Sequence, residues 1–122
     1  MKLHQSIPSG QNLFTGYGED YVAVNGQEHR SSVLVMQDSL DPWSVTRLAD
    51  ITAADFEALL ARTPEVVILG TGNALAFPDL RLSRSLAQAR IGLEVMDTRA
   101  ACRTYNILAA EGRRVLAALI LG

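Results

Sequence analysis

The segment VVILGTGN, residues 66–73, constrains the fold most, because an apolar run leads directly into a Gly-Thr-Gly turn. A continuous apolar run is typical of a strand that is buried on both faces of a sheet. The two glycines permit a tight turn and a close approach of another group to the backbone. We therefore expect a buried strand over residues 66–69 and a loop that could contact a ligand through Gly70, Thr71, Gly72 and Asn73.

Helical and strand-like patterns alternate from Thr52 onward. Thr52 and Asp55 have the spacing of a capping box, which predicts a helix that ends at Thr63-Pro64. Pro78 is suited to the first turn of a second helix, and Asp79 would favour its positive end. The buried face of that second helix would consist of Leu82, Leu86 and Ala89.

A third helix and a final strand complete this half of the chain. A strand pattern covers residues 93–96, and Asp97 or Thr98 then caps a helix that extends to about Ala110. Residues 115–121 are apolar throughout, which predicts a strand at the centre of the sheet. The alternation of helix and strand predicts an α/β sheet with helices packed on it and right-handed crossovers between adjacent parallel strands.

The first 48 residues have the pattern of β structure and would add either a hairpin subdomain or an extra layer. Asn25-Gly26 lies between two β-prone runs and predicts a hairpin. The sequence SVLVM at residues 32–36 predicts a buried strand, and DSLDP at residues 38–42 predicts a loop. Trp43 is expected to close one edge of the core.

Composition and charge exclude several classes of protein. Hydrophobic residues make up 48% of the chain and charged residues 20%, which is typical of a globular domain. The net charge of −2 and the scattered basic residues provide no electrostatic footprint for nucleic acid. The longest apolar run is too short to span a bilayer, so no direct membrane insertion is expected. Cys102 is the only cysteine, which excludes an internal disulfide and a cysteine-based metal cage.

The organisation of the chain favours a single cytoplasmic domain. We expect one domain over residues 1–122, β-rich over residues 1–48 and alternating over residues 49–122. The first ten residues lack the apolar core of a signal peptide, which favours a cytoplasmic location. No pattern in the sequence indicates a cofactor.

A second dense block, MDTRAACRTYN at residues 96–106, holds the other polar side chains that could form a site. Gly70 and Gly72 match the first two glycines of a dinucleotide fingerprint, but Leu75 stands at the third position. Asp97 stands where a ribose-binding acid would follow the next strand, although it is better suited to cap a helix. Because both blocks follow carboxyl ends of adjacent strands, we expect them to lie close together.

Arg99 and Arg103 lie about one helical turn apart at the start of the third helix. Together with Thr98 they could bind an anionic group, because arginine forms strong hydrogen bonds with carboxylate and phosphate. The alternative is a solvated face, or an ion pair between Arg103 and a carboxylate such as Glu111.

Cys102 could act as a nucleophile only beside a base, and its imidazole candidates are His4 and His29 in the N-terminal half. A helical cysteine is more often a small packing residue. Tyr105 is expected to face the sheet as a core residue, and Asn106 shares a strip of the helix with Cys102. Neither histidine has metal-ligand spacing, so we predict no catalytic residue and no metal site.

The chain resembles the family of complex I assembly factor 3 over nearly its whole length. The resemblance is carried by the segments VVILGTGN and IGLEVMDTRAACRTYNILAAEGRRVLAALIL, and by an early Gly-Tyr-Gly turn and the YVAVNG hairpin. That family comprises mitochondrial NADH:ubiquinone oxidoreductase assembly factor 3 and uncharacterised bacterial and archaeal proteins. Because this chain lacks the presequence of the mitochondrial members, we expect a prokaryotic cytoplasmic protein. The resemblance implies a compact three-layer α/β fold around a mixed sheet, with an added β-rich layer. It also implies that the last strand, residues 115–121, runs antiparallel to its neighbours, and it supplies no catalytic residues.

The resemblance implies action through protein partners rather than catalysis. The first hypothesis is therefore a non-enzymatic interaction or assembly protein that binds a protein partner or a second copy of itself. The alternative is a module that binds a small anionic ligand, such as a nucleotide or a carboxylate, through the Gly-Thr-Gly-Asn loop. An enzyme that uses Cys102 or Asp97 is the third hypothesis. The candidate residues for binding a ligand or partner are Gly70, Thr71, Gly72, Asn73, Asp97, Thr98, Arg99, Cys102, Arg103, Tyr105 and Asn106.

Overall fold

The computed structural model describes residues 10–121, so the hypothesis that involves His4 lies outside the described residues. Within this range the strands are β1 (Phe14–Tyr17), β2 (Val22–Val24), β3 (Gln27–His29), β4 (Val33–Met36), β5 (Ser39–Pro42), β6 (Val66–Gly70), β7 (Gly92–Met96) and β8 (Val115–Leu119). The α-helices are α1 (Ala53–Ala58), α2 (Arg84–Gln88) and α3 (Thr98–Ala110), and short 3₁₀ turns occupy Leu48–Asp50, Leu59–Arg62 and Leu80–Ser83.

A mixed five-stranded sheet forms the centre of residues 10–121, with strand order β5-β4-β8-β6-β7. The predicted central position of β8 is confirmed, and β8 runs parallel to β6 and antiparallel to β4. The expectation that this last strand is antiparallel to its neighbours is therefore wrong for β6. The reason is that α3 carries the chain from the end of β7 back across the sheet, so β8 starts at the same edge as β6 and β7.

Both faces of the sheet are covered, which explains the continuous apolar sequences of β6 and β8. On one face, Ile68 and Ala117 belong to a core that includes α3 and the three-stranded sheet formed by β1, β2 and β3. On the other face, Val67 and Leu116 pack with residues of α1 and α2. The three-layer α/β fold around a mixed sheet, with an added β-rich layer, is therefore confirmed.

The added layer is the antiparallel sheet β1-β2-β3, here called the small sheet. Its β2–β3 connection is the predicted Asn25-Gly26 hairpin, and both residues have a positive φ, 51° and 84°. A two-residue turn with this geometry matches the twist of the flanking strands. The sheet packs against the central layer through buried side chains that include Phe14, Tyr17 and Val22.

The prediction that residues 38–42 form a loop is wrong, because most of this segment is strand β5. β5 pairs antiparallel with β4, with Leu40 opposite Val35. An edge strand tolerates the turn-forming residues that suggested a loop, since only one side of its backbone must pair, and Pro42 occupies its last position. Trp43 follows as a buried member of the core on the side of α1 and α2, as expected.

The predicted first helix is confirmed at its start, but α1 ends at Ala58 and a 3₁₀ turn covers the rest of the predicted span. The Thr52 hydroxyl accepts a hydrogen bond from the Asp55 N–H at 3.2 Å, and the Asp55 carboxylate accepts one from the Thr52 N–H at 2.8 Å. This reciprocal pair is the capping box that the sequence predicts. After α1 the chain tightens into a 3₁₀ turn and leaves it through Thr63, which has a left-handed conformation.

The second helix is shorter than predicted and starts later than Pro78. The Asp79 carboxylate accepts from the Arg81 N–H at 3.0 Å, so Asp79 caps a 3₁₀ turn and α2 begins only at Arg84. Leu86 is buried as expected, but Ala89 is exposed because it stands at the C-terminal end of this short helix. Among the described residues, no helix has the length and hydrophobicity needed to cross a membrane.

Candidate functional site

The Gly-Thr-Gly-Asn loop and the start of α3 lie in direct contact, as the strand order predicts. The Gly72 N–H donates to the Thr98 hydroxyl at 3.0 Å, and the Thr98 N–H donates to the Gly72 carbonyl at 2.9 Å. Asp97 is the N-cap of α3, because its carboxylate accepts from the Ala100 N–H at 2.9 Å. The two sequence blocks therefore meet at the carboxyl ends of parallel strands, where ligands of α/β proteins commonly bind.

The two glycines of this loop are present for different reasons. A Cβ on Gly70 would lie 2.6 Å from Leu119 Cδ2, so any larger residue would force the buried Leu119 side chain to shift. Gly72 has a φ of 94° and open space where a side chain would lie. Gly72 therefore serves the turn, whereas Gly70 serves the packing of the layers.

The loop borders a hollow of about 380 Å³, which we call the loop hollow. Its walls include residues that follow three parallel strands, namely Thr71, Gly72, Asn73, Thr98, Ile120 and Leu121. Glu19, Asp20 and Arg47 supply the charges around it. Two carboxylates against one guanidinium make this hollow a poor match for an anionic ligand.

A second hollow of about 630 Å³, the arginine hollow, is lined by Arg99 and Arg103. Asp97 and Glu19 share its wall, so two carboxylates accompany the two guanidinium groups. Arg103 Nη1 donates to the Tyr17 hydroxyl at 2.9 Å, so its partner is Tyr17 rather than the carboxylate that helix spacing suggested. Arg103 therefore helps to join α3 to β1.

Cys102 borders neither hollow and is fully buried in the core between α3 and the sheet. Burial raises the pKa of the Cys102 thiol from 9.0 to about 12. A thiol with this pKa stays protonated at neutral pH, whereas a nucleophilic cysteine must form a thiolate. The interpretation of Cys102 as a small packing residue is the one that its burial supports.

Tyr105 and Asn106 also lie outside both hollows and hold the small sheet against α3. The Tyr105 hydroxyl donates to the Asn12 carbonyl at 3.0 Å, and its ring meets the Phe14 ring edge to face with centroids 5.0 Å apart. Asn106 accepts from the Phe14 N–H at 3.0 Å and donates to the Phe14 carbonyl at 2.8 Å. Burial raises the pKa of Tyr105 well above its usual range.

The structure therefore divides the candidate site residues into three groups. One group lines the loop hollow, and these residues are Thr71, Gly72, Asn73 and Thr98. A second group lines the arginine hollow, and these residues are Asp97, Arg99 and Arg103. The remaining candidates, Gly70, Cys102, Tyr105 and Asn106, are buried packing residues. Within residues 10–121, no group of three or more histidine, cysteine or acidic side chains is placed to hold a metal ion.

Sequence reasoning missed an exposed segment directly after the loop. Over residues 74–80, three large apolar side chains are more than half exposed, namely Leu75 at 54%, Phe77 at 65% and Leu80 at 58%. The signal in the sequence was the run ALAF before Pro78, because its apolar residues have neither helical nor strand periodicity. Large apolar side chains that are exposed within one short segment can indicate a surface that another molecule covers.

Comparison with known proteins places these features in a family. A family model described as "Protein of unknown function (DUF498/DUF598)" matches residues 14–120. Assembly factor 3 of the NADH dehydrogenase [ubiquinone] 1 alpha subcomplex from Bos taurus is 34% identical over 106 residues, which are 85% of this chain and 58% of the bovine protein. This chain thus spans little more than half the length of that relative, and the resemblance noted from the sequence is confirmed.

Two further matches extend the comparison to bacteria. A 13 kDa major membrane protein of Francisella tularensis is 31% identical over 90 residues, covering 74% of this chain and 69% of that protein. The solution NMR structure of a Bordetella pertussis protein described as a Mth938-like domain is 34% identical, with a TM-score of 0.80 over 99% of this chain and 92% of the other. These matches confirm the fold, and they give no support to the interpretation of the loop as a small-ligand site.

Proposed function

Because this chain belongs to the DUF498/DUF598 family, we propose that it is a non-catalytic assembly protein that binds a protein partner while a larger complex is built. The observation that carries this proposal is the similarity to the bovine assembly factor, which extends over 85% of this chain. The family description assigns no reaction, because it reads "Protein of unknown function". The similarity to the assembly factor is therefore the stronger support.

The placement of the reactive side chains supports a role without catalysis. Cys102 is buried with a raised pKa, and Asp97 is engaged as the cap of α3. Tyr105 and Asn106 are engaged in joining α3 to the small sheet. The side chains that sequence reasoning offered for chemistry thus have structural roles that account for their presence.

The complex that the relative's name suggests is the respiratory NADH dehydrogenase. We propose that this chain assists the same class of complex in a prokaryote, working from the cytoplasm. This chain spans 58% of the bovine protein, and we place the proposed partner contact on a surface of the α/β fold that the two share. A second copy of this chain is the alternative partner.

A deletion strain tests this proposal. The gene would be removed from the cells that make the protein, and assembled NADH dehydrogenase in their membranes would be quantified by native electrophoresis and in-gel activity. We expect a loss of assembled complex, with succinate dehydrogenase unchanged as the internal control. Wild-type protein and the Cys102→Ala variant should both restore assembly, because no thiol chemistry is involved. Unchanged NADH dehydrogenase in the deletion strain would refute the proposed complex.

A further inference from the structure

The segment of residues 74–80, here called the apolar segment, is exposed although hydrogen bonds hold both of its ends in place. Thr71 Oγ1 donates to the Ala74 carbonyl at 2.8 Å and accepts from the Ala76 N–H at 3.3 Å, which fixes its start. Ser83 Oγ donates to the Leu80 carbonyl at 2.8 Å, which fixes its end. A surface held in this way loses little conformational entropy when another molecule covers it.

A concave surface adjoins the apolar segment. A hollow of about 470 Å³, the apolar hollow, is lined by Leu48, Ala49, Ile51, Phe77, Pro78 and Leu82, and by one charged residue, Asp79. A hollow of this size accepts a large side chain, as anchor residues of protein partners require. A planar lipid surface would leave it unfilled, so the shape favours a protein.

The charges beside the apolar segment favour an acidic partner. Over residues 77–86 the chain carries two arginines and one aspartate, although its overall net charge is −2. The aspartate, Asp79, is held by Arg81 at 2.8 Å. Arg84, three residues further on, and Arg47, beside Leu48, are exposed and form no ion pair within residues 10–121. Asp50 is also exposed and without an ion pair in the same range, and Glu19 and Asp20 border the loop hollow together with Arg47, so the charge of Arg47 is offset. Arg84 is the excess positive charge that remains beside the segment.

From these features we infer that the apolar segment and the apolar hollow dock an amphipathic segment of a partner protein. Its large apolar side chain enters the hollow, and its acidic side chains lie beside Arg84. Complementary charge of this kind sets the choice of partner and its orientation more than the affinity. This inference rests on the proposed function, because it identifies the surface through which an assembly protein of this fold binds its partner.

Site-specific photo-crosslinking in the cells that make the protein tests the inference. Benzoylphenylalanine would replace Phe77 in one strain and Ile107 in a control strain, and crosslinked peptides would be sequenced by mass spectrometry. Ile107 is a matched control, because it is 52% exposed and belongs to α3, which packs on the opposite face of the central sheet. We expect the Phe77 strain to yield one partner peptide that combines large apolar residues with a net negative charge.

Charge reversal supplies the second arm of the experiment. Arg84→Glu should lower the yield of that Phe77 adduct about three- to fivefold, the size expected for an exposed charge at an interface. Arg90→Glu, beyond the end of α2, is the matched control and should leave the yield unchanged. Equal yields from both charge variants would contradict the acidic chemistry that we assign to the partner.

The remaining outcomes separate the inference from the proposed function. A lipid adduct, an adduct with a second copy of this chain, or a basic peptide at Phe77 would overturn the inference. Protein adducts from Ile107 and none from Phe77 would also overturn it, while leaving the proposed assembly role in place. Absence of a protein adduct at both positions would contradict the docking surface, and the deletion strain would then decide the assembly role by itself.

Discussion

The side-chain amide of Asn106 hydrogen-bonds both polar backbone atoms of Phe14, 92 positions away in the chain, at 3.0 and 2.8 Å. Both residues are buried, so the backbone N–H and carbonyl of Phe14 need hydrogen-bond partners. The Asn106 amide supplies them, as a neighbouring strand would. Asn106 thereby fixes α3 and the small sheet in one arrangement.

Replacing Asn106 by leucine should destabilise the protein by about 2–4 kcal/mol, because two buried backbone groups of Phe14 lose their partners. Urea unfolding followed by circular dichroism measures this loss. Asn73→Leu, at an exposed loop position, is the matched control and should stay within about 0.5 kcal/mol of wild type. A loss for Asn106→Leu no larger than for the control would show that the amide does not hold the layers together.

Gly70→Ala should cost about 1–3 kcal/mol, because the added Cβ would lie 2.6 Å from Leu119 Cδ2. Leu119→Ala removes that atom, so its cost should be smaller in the Gly70→Ala background than in wild type. A double-mutant cycle measured by urea unfolding gives this coupling. Gly92→Ala is the control, because its Cβ would meet Val66 only at 3.5 Å. If the free-energy changes of the two substitutions are strictly additive, the strain that Gly70→Ala introduces does not come from contact with Leu119.

Stability should fall above pH 9 through the Cys102 thiol. The pKa of the thiol is near 9.0 in the unfolded chain and about 12 in the folded protein, so between these values only the unfolded chain releases the proton. Stability is therefore complete below pH 9 and declines by up to about 1.4 kcal/mol per pH unit above it. Cys102→Ala should remove this part of the decline.

Urea unfolding at several pH values between 8 and 11, with reductant present, measures that slope. The raised pKa of Tyr105 adds a decline of the same sign in both proteins, so the comparison uses the difference between their slopes. Identical slopes for wild type and Cys102→Ala would mean that the folded protein ionises the thiol as readily as the unfolded chain.

Polar substitutions in the apolar segment should leave stability nearly unchanged. Leu75→Ser and Leu80→Ser remove side chains that are more than half exposed, so each should change the unfolding free energy by less than about 0.5 kcal/mol. Leu86→Ala, at a buried position only six residues beyond Leu80, should cost about 2–5 kcal/mol. A large loss for either serine variant would indicate that these side chains serve the fold rather than a partner.

Elements with strong local signals were predictable from the sequence. The capping box at Thr52 and Asp55, the Asn25-Gly26 turn and the doubly buried β8 each follow from contacts between near neighbours or from a continuous apolar pattern. The meeting of the loop with Thr98 followed from strand order, because parallel strands end at the same edge.

Features set by distant parts of the chain were not predictable in this way. β5 is a strand because β4 pairs with it, although its own residues favour a turn. The roles of Gly70 and Asn106 depend on Leu119 and Phe14, which no local pattern connects to them. The exposure of Phe77 likewise depends on how Thr71 and the following turn hold the chain.

The proposed assembly role is tested most directly by the size at which this protein migrates after gentle extraction from its own cells. Native electrophoresis with mass spectrometry of each gel slice would follow the protein together with the subunits of NADH dehydrogenase. The account predicts comigration with a subset of those subunits in a partly assembled species, and loss of that comigration when Phe77 is changed to serine. Migration of the wild-type protein solely as a monomer, or solely as a complex of its own copies, would contradict the account.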